Sequence, residues 1–299
     1  MKMKTSVSRK IFMTCNVILL ISLALLCVFP FVNLLAISFS SRDAVVANRV
    51  TFWPVDFSIN SYRFILANNQ FVRSLWITIQ RTLIGVPLNL LLVILAAYPL
   101  SKSKEEFRSR SVFSWFFVIT ILFNGGLIPT FIVVRNTGLL NSIWALILPS
   151  AVSVFNMLVV MNYMRSLPKE MEEAALIDGA GHFKVLTLII LPVCKPTLAT
   201  IALFSFVFHW NSWFDGMIYM QRVSLYPLQT YLQTMIINPE AFFRNATQTG
   251  AGIAEFVRLV NARTTGSAQL FLAMLPVLCV YPFLQKYFTK GLVMGSVKG

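Results

Sequence analysis

Six long apolar stretches limit what this chain can fold into. A helix that crosses a bilayer needs about 20 mostly apolar residues. Stretches of that length lie at residues 12–38, 74–101, 112–134, 143–164, 187–213 and 268–288. The sequence therefore predicts an all-α integral membrane protein with six transmembrane helices.

The composition supports this prediction. Apolar side chains make up 57% of the 299 residues and charged ones 12%, whereas soluble domains average about half and about a quarter. A formal charge of +14 would suggest a nucleic-acid partner for a soluble protein. Here much of it lies in short loops, where cationic residues fix topology, so no nucleic acid is expected. The four Cys residues lie in or beside apolar runs without metal-like spacing, which predicts packing roles and no metal site.

The basic residues predict which side each loop faces. Lys and Arg are enriched in cytoplasmic loops, and all 11 Lys residues lie in the segments 1–11, 102–110, 165–195 and 286–299. Both termini are therefore predicted to be cytoplasmic. The apolar run from Ile11 to Phe39 is too long for a signal peptide and is kept as an uncleaved first span. The predicted organisation is a cytoplasmic N-terminus (1–11), one membrane domain (12–288) and a cytoplasmic tail (289–299).

Local sequence predicts two irregularities and one ordered loop. Gly125, Gly126 and Pro129 together predict a broken or kinked third span, and Pro30 predicts a bend in the first. Residues 40–70 are mixed and aromatic. They predict an ordered loop on the outer interface.

The polar segment 166–192 lies between the fourth and fifth spans. Pro168 suits the first turn of a helix, and the acids that follow it lie where the helix dipole favours negative charge. Asp178 and Gly179 offer a cap and a permissive backbone for a turn. Ala174 and Ala175 are expected to remove bulk from one helix face. The segment therefore predicts helix, turn, helix.

The spacing of seven residues in this segment resembles a known motif. Glu173, Ala174, Ala175, Gly179, Ile189, Leu191 and Pro192 match, without a gap, the cytoplasmic loop of permease subunits from bacterial ATP-driven (ABC) importers. Residues 124–130, 137–149, 209–214 and 281–291 are similar to carbohydrate permeases of the maltose-permease-like branch. They are most similar to those for complex or acidic oligosaccharides, such as alginate or pectin fragments.

The resemblance implies a type I ABC importer permease fold with a cytoplasmic coupling helix between helices 4 and 5. It also implies a second permease, two ATPase subunits and an extracytoplasmic sugar-binding protein. The implied ATPase-coupling residues are Glu173, Ala174, Ala175, Asp178, Gly179, Ala180 and His182. The chain has no phosphate-loop motif, so ATP and magnesium are expected on the partner and no cofactor on this chain. A plain solvated hairpin is the alternative.

A sugar path needs polar groups and aromatic faces at a cavity. The predicted path residues are Asn156, Arg81, His209, Trp210, Asn211 and Trp213. An aromatic belt or a contact with the binding protein is the alternative for the cluster at the end of the fifth span. Asn156 can equally form a hydrogen bond between helices. Arg81, which shares the second span with Asn89, is expected to be paired or to face water, because a membrane arginine is costly to place.

The outer face is predicted to be cationic. Its nine arginines are Arg42, Arg49, Arg63, Arg73, Arg135, Arg222, Arg244, Arg258 and Arg263, against five acids, Asp43, Asp56, Asp215, Glu240 and Glu255. Guanidinium groups bind carboxylates bidentately, which favours an acidic oligosaccharide. The alternatives are pairing with those acids or docking of the binding protein, with a neutral oligosaccharide or a glycerol-phosphate-like solute as cargo.

The sequence disfavours two other function classes. An ion-coupled secondary sugar transporter should carry intramembrane acids, and no Asp or Glu lies centrally in any predicted span. A membrane enzyme should show a carboxylate or His cluster at one membrane face, and only Asp215 lies near His209. The prediction is a transporter subunit of the bacterial inner membrane.

Overall fold

A computed structural model describes the backbone of residues 7–237 and 259–296, and the side chains of residues 7–237 and 259–282. The regular structure in these ranges is helical, as predicted. The helices are α1 Val7–Ser38, α2 Arg42–Val46, α3 Asn60–Ala67, α4 Asn69–Ser101, α5 Arg110–Leu122, α6 Leu127–Asn136, α7 Ile143–Ile147, α8 Val154–Arg165, α9 Glu170–Ile177, α10 His182–Lys184, α11 Leu191–Asn211, α12 Phe214–Tyr219, α13 Leu228–Ile237 and α14 Ala262–Ser296. A π-helical segment, Val185–Ile190, joins α10 to α11.

Length and hydropathy identify the helices that can cross a membrane. Four continuous helical stretches qualify, namely Val7–Ser38, Asn69–Ser101, His182–Asn211 and Ala262–Pro282. Two bent pairs, α5 with α6 and α7 with its 3-10 extension and α8, qualify when each pair is counted as one span. The described residues therefore contain six spans on that count, in agreement with the sequence.

The third span is broken where the sequence predicts a break. α5 and α6 differ in direction by 116°. Gly126 has a φ of +83°, a conformation that favours glycine, and its N–H donates to Asn124 Oδ1 at 2.8 Å. Pro129 lies in the first turn of α6, where a proline is tolerated. The Gly-Gly-x-x-Pro pattern is thus a helix stop followed by a helix start.

The fourth span differs from its prediction as one helix over 143–164. It bends by 48° between Ser150 and Val154. Pro149 ends the first part in a 3-10 turn, and Ser153 caps α8 by accepting from the Asn156 N–H at 3.4 Å. Pro149 and the capping Ser153 four residues later specify this bend, which the apolar composition of the segment does not show. In contrast, α1 continues as helix through Pro30.

The chain forms two compact units, residues 1–69 with 234–274, and residues 70–233 with 275–299. In the first, the segment after α1 is ordered by specific contacts. Phe39 stacks on Phe57 and Tyr62 with ring centroids 5.5 and 4.7 Å apart. The Ser38 and Tyr62 hydroxyls lie 2.8 Å apart. The segment is therefore ordered as predicted, although it contains α2 and α3 and is not a plain loop, and its position on the outer interface stays a prediction.

The second unit contains both predicted functional regions. Its main apolar cluster joins α4, α8, α9, the π-helical segment and α11 through buried side chains. Among them are Val93, Ala97, Met157, Val160, Ala175, Val185, Cys194 and Ile201. The polar hairpin and the helices that line the membrane cavity therefore share one packed core.

Some predicted features lie outside the described residues. These are residues 1–6 and 297–299, and the outer-face residues Glu240, Arg244, Glu255 and Arg258. The side chains of Lys286 and Lys290 are also outside the described part, although the α14 backbone runs through them to Ser296.

Candidate functional site

The predicted coupling helix is α9, and the adjacent turn has the predicted form. Glu170, Glu172 and Glu173 occupy its first turn. At its other end the N–H groups of Asp178, Gly179 and Ala180 donate to carbonyls of the last turn at 2.9–3.0 Å. Gly179 has a φ of +82°, which an L side chain adopts only with strain. The Asp178-Gly179 pair therefore ends α9 and starts the turn into α10.

The two alanines of the motif face opposite environments. Ala175 is buried in the apolar cluster, whereas Ala174 is exposed. The prediction that both alanines remove bulk from the same helix face is wrong, because consecutive helix residues point about 100° apart. Ala175 permits close packing of α9 on its own core, and Ala174 lies on the outer surface of the hairpin.

Two large apolar side chains flank the hairpin turn and were not singled out from the sequence. Ile177 is 85% exposed and Phe183 is 72% exposed. They belong to a polar loop outside the predicted spans, and exposed apolar groups there are typical of a protein-binding surface. In the sequence, the signal for this surface is an apolar residue on either side of an Asp-Gly turn. The outer surface of Ala174, Ile177, Gly179 and Phe183 is called the hairpin tip below.

The base of the hairpin is bonded to the C-terminal end of α4. Glu172 pairs with Lys102 and accepts a hydrogen bond from the Tyr98 hydroxyl at 3.0 Å. The Lys102 ammonium lies 4.1 Å from the centre of the Tyr98 ring. His182 Nδ1 lies 3.4 Å from the Tyr98 hydroxyl, so this ring reaches back towards α4. These four residues are called the base cluster.

A cavity of about 480 Å³ lies among the membrane helices of the second unit. It is lined from α4, α8, α11 and the break before α8. The lining residues are Asn89, Ser150, Val152, Ser153, Phe155, Asn156, Phe204, Ser205, Phe208 and His209. Amide, hydroxyl and imidazole groups thus share one space with three phenylalanine rings.

The two asparagines in this lining differ in their bonding. Asn89 donates to the Ala151 carbonyl at 2.9 Å and accepts from the Ser205 hydroxyl at 2.6 Å, so its amide is engaged by neighbouring helices. Asn156 is 6% exposed, and among the described residues its side-chain amide has no hydrogen-bond partner. An amide carries both donors and an acceptor, and here they are open to the cavity. Asn156 is therefore the polar group of the lining most available to a ligand.

His209 forms the wall of the cavity next to α4. A methyl group at Gly85 would lie 2.6–2.9 Å from the imidazole ring, so α4 must carry glycine for His209 to occupy this position. His209 Nδ1 accepts from Arg81 Nε at 3.5 Å. Of the predicted path residues, Asn156 and His209 line the cavity.

Arg81 lies behind His209 and is fully buried. Its Nη1 donates to Asp215 Oδ1 at 3.2 Å and its Nη2 pairs with Oδ2. Asp215 also accepts from the Ser212 hydroxyl at 2.9 Å. The expectation that Arg81 is paired is confirmed. Burial, with the nearby Asp215 charge, raises the pKa of Tyr219 above its ordinary value.

The remaining residues of the predicted aromatic cluster lie apart from the cavity lining. Trp210 is buried and stacks on Phe206 with ring centroids 5.8 Å apart. Asn211 and Trp213 are exposed at the end of α11. Ser205, Phe204 and Phe208, which do line the cavity, precede His209 by one to five residues. Helical spacing backwards from His209 was the signal that could have found them.

Comparison with known proteins gives a consistent result. The model of the family "binding-protein-dependent transport system inner membrane component" matches residues 64–293. The polygalacturonan/rhamnogalacturonan transport system permease protein YtcP of Bacillus subtilis (strain 168) is 36% identical over 280 residues, covering 94% of this chain and 96% of that protein. Protein LplC of the same organism is 34% identical over 292 residues, covering 97% and 96%.

A solved structure extends the likeness to three dimensions. It is a bacterial ABC transporter involved in the import of the acidic polysaccharide alginate. One of its chains is 33% identical to this one with a TM-score of 0.86, covering 95% of this chain and 99% of that chain. Family match, identity and fold agree over nearly the whole sequence, and the chain belongs to the binding-protein-dependent transport system inner membrane components.

Proposed function

We propose that this chain forms, with a second permease, the membrane path of an importer for acidic, uronate-type oligosaccharides. The chain is a permease subunit of an ABC sugar importer and not an enzyme. The observation that carries the proposed sugar path is the cavity. Phenylalanine faces suit stacking of pyranose rings, and the free amide of Asn156 suits a sugar hydroxyl.

The importer works with a second permease, ATPase subunits and an extracytoplasmic binding protein. In the proposed mechanism the ATPases hold ATP and magnesium, and the hairpin tip seats in them. Exposed Ile177 and Phe183 supply apolar contact area, and Ala174 and Gly179 let the surfaces approach closely. Closure of the ATPases moves the hairpin and opens the cavity outwards to the binding protein. Reopening turns the cavity inwards.

The proposed topology has both termini in the cytoplasm. The distribution of lysines supports it, and six spans place an even number of crossings between the two ends. The hairpin then lies on the side where ATP is available. The predicted organisation into 1–11, 12–288 and 289–299 follows from the same topology.

The proposal of acidic cargo is supported by relatives and by outer arginines. The similar proteins named above include a polygalacturonan permease and an alginate importer. Arg63, Arg73, Arg135 and Arg222 are exposed, and no ion pair to any of them occurs in the described ranges. The lining of the cavity contains no Lys or Arg, since Arg81 lies behind His209 and pairs with Asp215. Carboxylate recognition by this chain is therefore assigned to its outer face.

The test uses the complete transporter in vesicles with ATP inside. Uptake of a uronate trisaccharide should exceed that of a neutral trisaccharide of equal length, and equal uptake would remove the acidic assignment. Asn156→Leu should lower uptake about fivefold, the equivalent of one hydrogen bond. Asn162→Leu, an exposed position on the same helix, is the control. Uptake that follows an ion gradient without ATP would support a secondary transporter instead.

A further inference from the structure

We infer that the base cluster is a set of positioning residues that clamp the coupling hairpin to α4, so that the hairpin and the wall of the cavity move together. This inference rests on the proposed function of the hairpin as the element that binds the ATPase. It assigns the clamp to Tyr98, Lys102, Glu172 and His182, of which only His182 belongs to the predicted coupling residues.

The Lys102–Glu172 pair in this cluster is largely buried, unlike a typical surface ion pair. The Lys102 side chain is 10% exposed and that of Glu172 is 20% exposed. Glu172 Oε1 receives both the Lys102 ammonium and the Tyr98 hydroxyl. The ammonium also lies over the Tyr98 ring, an arrangement that is favourable where water is largely excluded. Each member contacts at least one other, so the contacts support one another.

Glu172 and Glu173 are adjacent but differ in environment. Glu172 is held at the hairpin base, whereas Glu173, the first residue of the Glu-Ala-Ala motif, is exposed and forms no ion pair within the described residues. Two consecutive positions on a helix point about 100° apart. α9 therefore places one glutamate on its own membrane domain and leaves the next on its outer surface.

Two further features tie α8 and α9 to α4. Arg165 Nη2, at the end of α8, donates to the Leu100 carbonyl of α4 at 2.7 Å. Ala175 of α9 and Ala97 of α4 belong to the same buried cluster. The small residues allow close approach, and close-packed side chains transmit displacement instead of absorbing it.

α4 connects this joint to the cavity. Tyr98 follows Asn89 by nine residues, about 13 Å along a helix. Pro87 and Pro99 lie on either side of this stretch, and α4 continues as one helix through both. Asn89 bonds to Ser205 and to the Ala151 carbonyl, and Gly85 contacts His209. A displacement at the hairpin base therefore reaches the cavity lining through one helix.

The test measures sugar transported per ATP hydrolysed by the complete transporter, with assembly followed by co-purification of all subunits. Tyr98→Phe removes the hydroxyl and keeps the ring, and Glu172→Gln removes the charge. Each should lower this ratio about tenfold or more, the scale of a charge-assisted hydrogen bond. The double variant should lose less than the product of the two single losses, because they remove one shared contact. Glu170→Gln, exposed on the same helix, should leave the ratio unchanged.

The remaining outcomes distinguish failure of the clamp from failure of the proposed hairpin function. A wild-type ratio for both Tyr98→Phe and Glu172→Gln overturns the clamp. If Glu172→Gln fails to assemble, the isosteric Tyr98→Phe variant decides. Ala174→Glu tests the proposed function alone, because it should abolish co-purification of the ATPase. If Ala174→Glu assembles and transports normally, the proposed hairpin function fails. If only the base variants behave as wild type, the clamp alone fails.

Discussion

The ion pair between Arg81 and Asp215 allows a quantitative prediction of stability. The Arg81 side chain is fully buried and Asp215 is 21% exposed. Asp215→Asn keeps the size of the side chain but leaves the guanidinium without a counter-charge. Losing one member of a buried pair costs about 3–5 kcal/mol, because the remaining charge is neither paired nor hydrated. Asparagine can keep part of the hydrogen bonding, so about 3 kcal/mol is expected.

A second ion pair in the same chain is a natural control. Arg49 and Asp56 are 3.3 Å apart, with side chains 56% and 61% exposed. Asp56 has a φ of +51°, which asparagine also tolerates, so Asp56→Asn changes the charge without backbone strain. An exposed pair contributes about 0–1 kcal/mol. Both variants make the same chemical change, and they differ in burial.

The assay is thermal unfolding of the purified protein in detergent at constant pH and salt. Asp215→Asn should lower the apparent melting temperature by roughly 6 °C or more, and Asp56→Asn by about 2 °C or less. The double variant Arg81→Met/Asp215→Leu should recover at least half of the loss, since it removes the stranded charge. Equal shifts for the two Asn variants would refute the reasoning, because burial would then have no effect on the value of the pair.

Three further predictions follow from other parts of the chain. Gly85→Ala should lower uptake severalfold with little change in assembly, because its methyl group displaces the His209 ring. Gly179→Val should destabilise the hairpin by about 1–2 kcal/mol through backbone strain, seen as faster hydrogen exchange at the hairpin. Changing both Ile177 and Phe183 to Ser should weaken ATPase co-purification about tenfold or more without lowering the melting temperature, because both side chains are exposed.

Matched glycine variants separate these effects from general damage. Gly125→Ala meets only an ordinary 3.7 Å contact with Pro129 and should transport as wild type. Gly181 lies two residues from Gly179, with a φ of −72° and open space around it, so Gly181→Ala should leave the hairpin unchanged. If Gly125→Ala or Gly181→Ala were as harmful as its counterpart, the proposed contact or strain would not be the cause.

Features that depend on local chemistry could be predicted from the sequence. The break at Gly126 follows from the Gly-Gly-x-x-Pro pattern, and the turn at Gly179 follows from acids and an Asp-Gly pair at helix ends. The bend before α8 follows equally local rules, a proline and then a capping Ser153, but mean hydropathy, which defines the predicted fourth span, does not show it. A segment can be apolar throughout and still contain a break, which here is specified by Pro149 and Ser153.

The environments of neighbouring residues could not be predicted in the same way. Hydropathy assigns Asn89 and Asn156 to membrane helices, but only packing determines that one is bonded and the other free. The sequence likewise contains Lys102 and Glu172 at positions 70 residues apart, and no periodicity links them. Such pairs arise when two helix ends meet at the membrane surface, so they require the tertiary fold.

α4 carries residues of both functional regions, the cavity and the base of the hairpin. From its N-terminal to its C-terminal end it carries Arg81, then Gly85 and Asn89, then Tyr98. Arg81 bonds to His209 of α11 and pairs with Asp215 of α12, and Tyr98 secures the hairpin, while the cavity lies between them. Because both ends of α4 are bonded to neighbouring elements, we expect a displacement at one end to be transmitted to the other. If α4 is the connecting element, weakening either fastening should lower transport per ATP, whereas exposed positions on α4 should tolerate substitution.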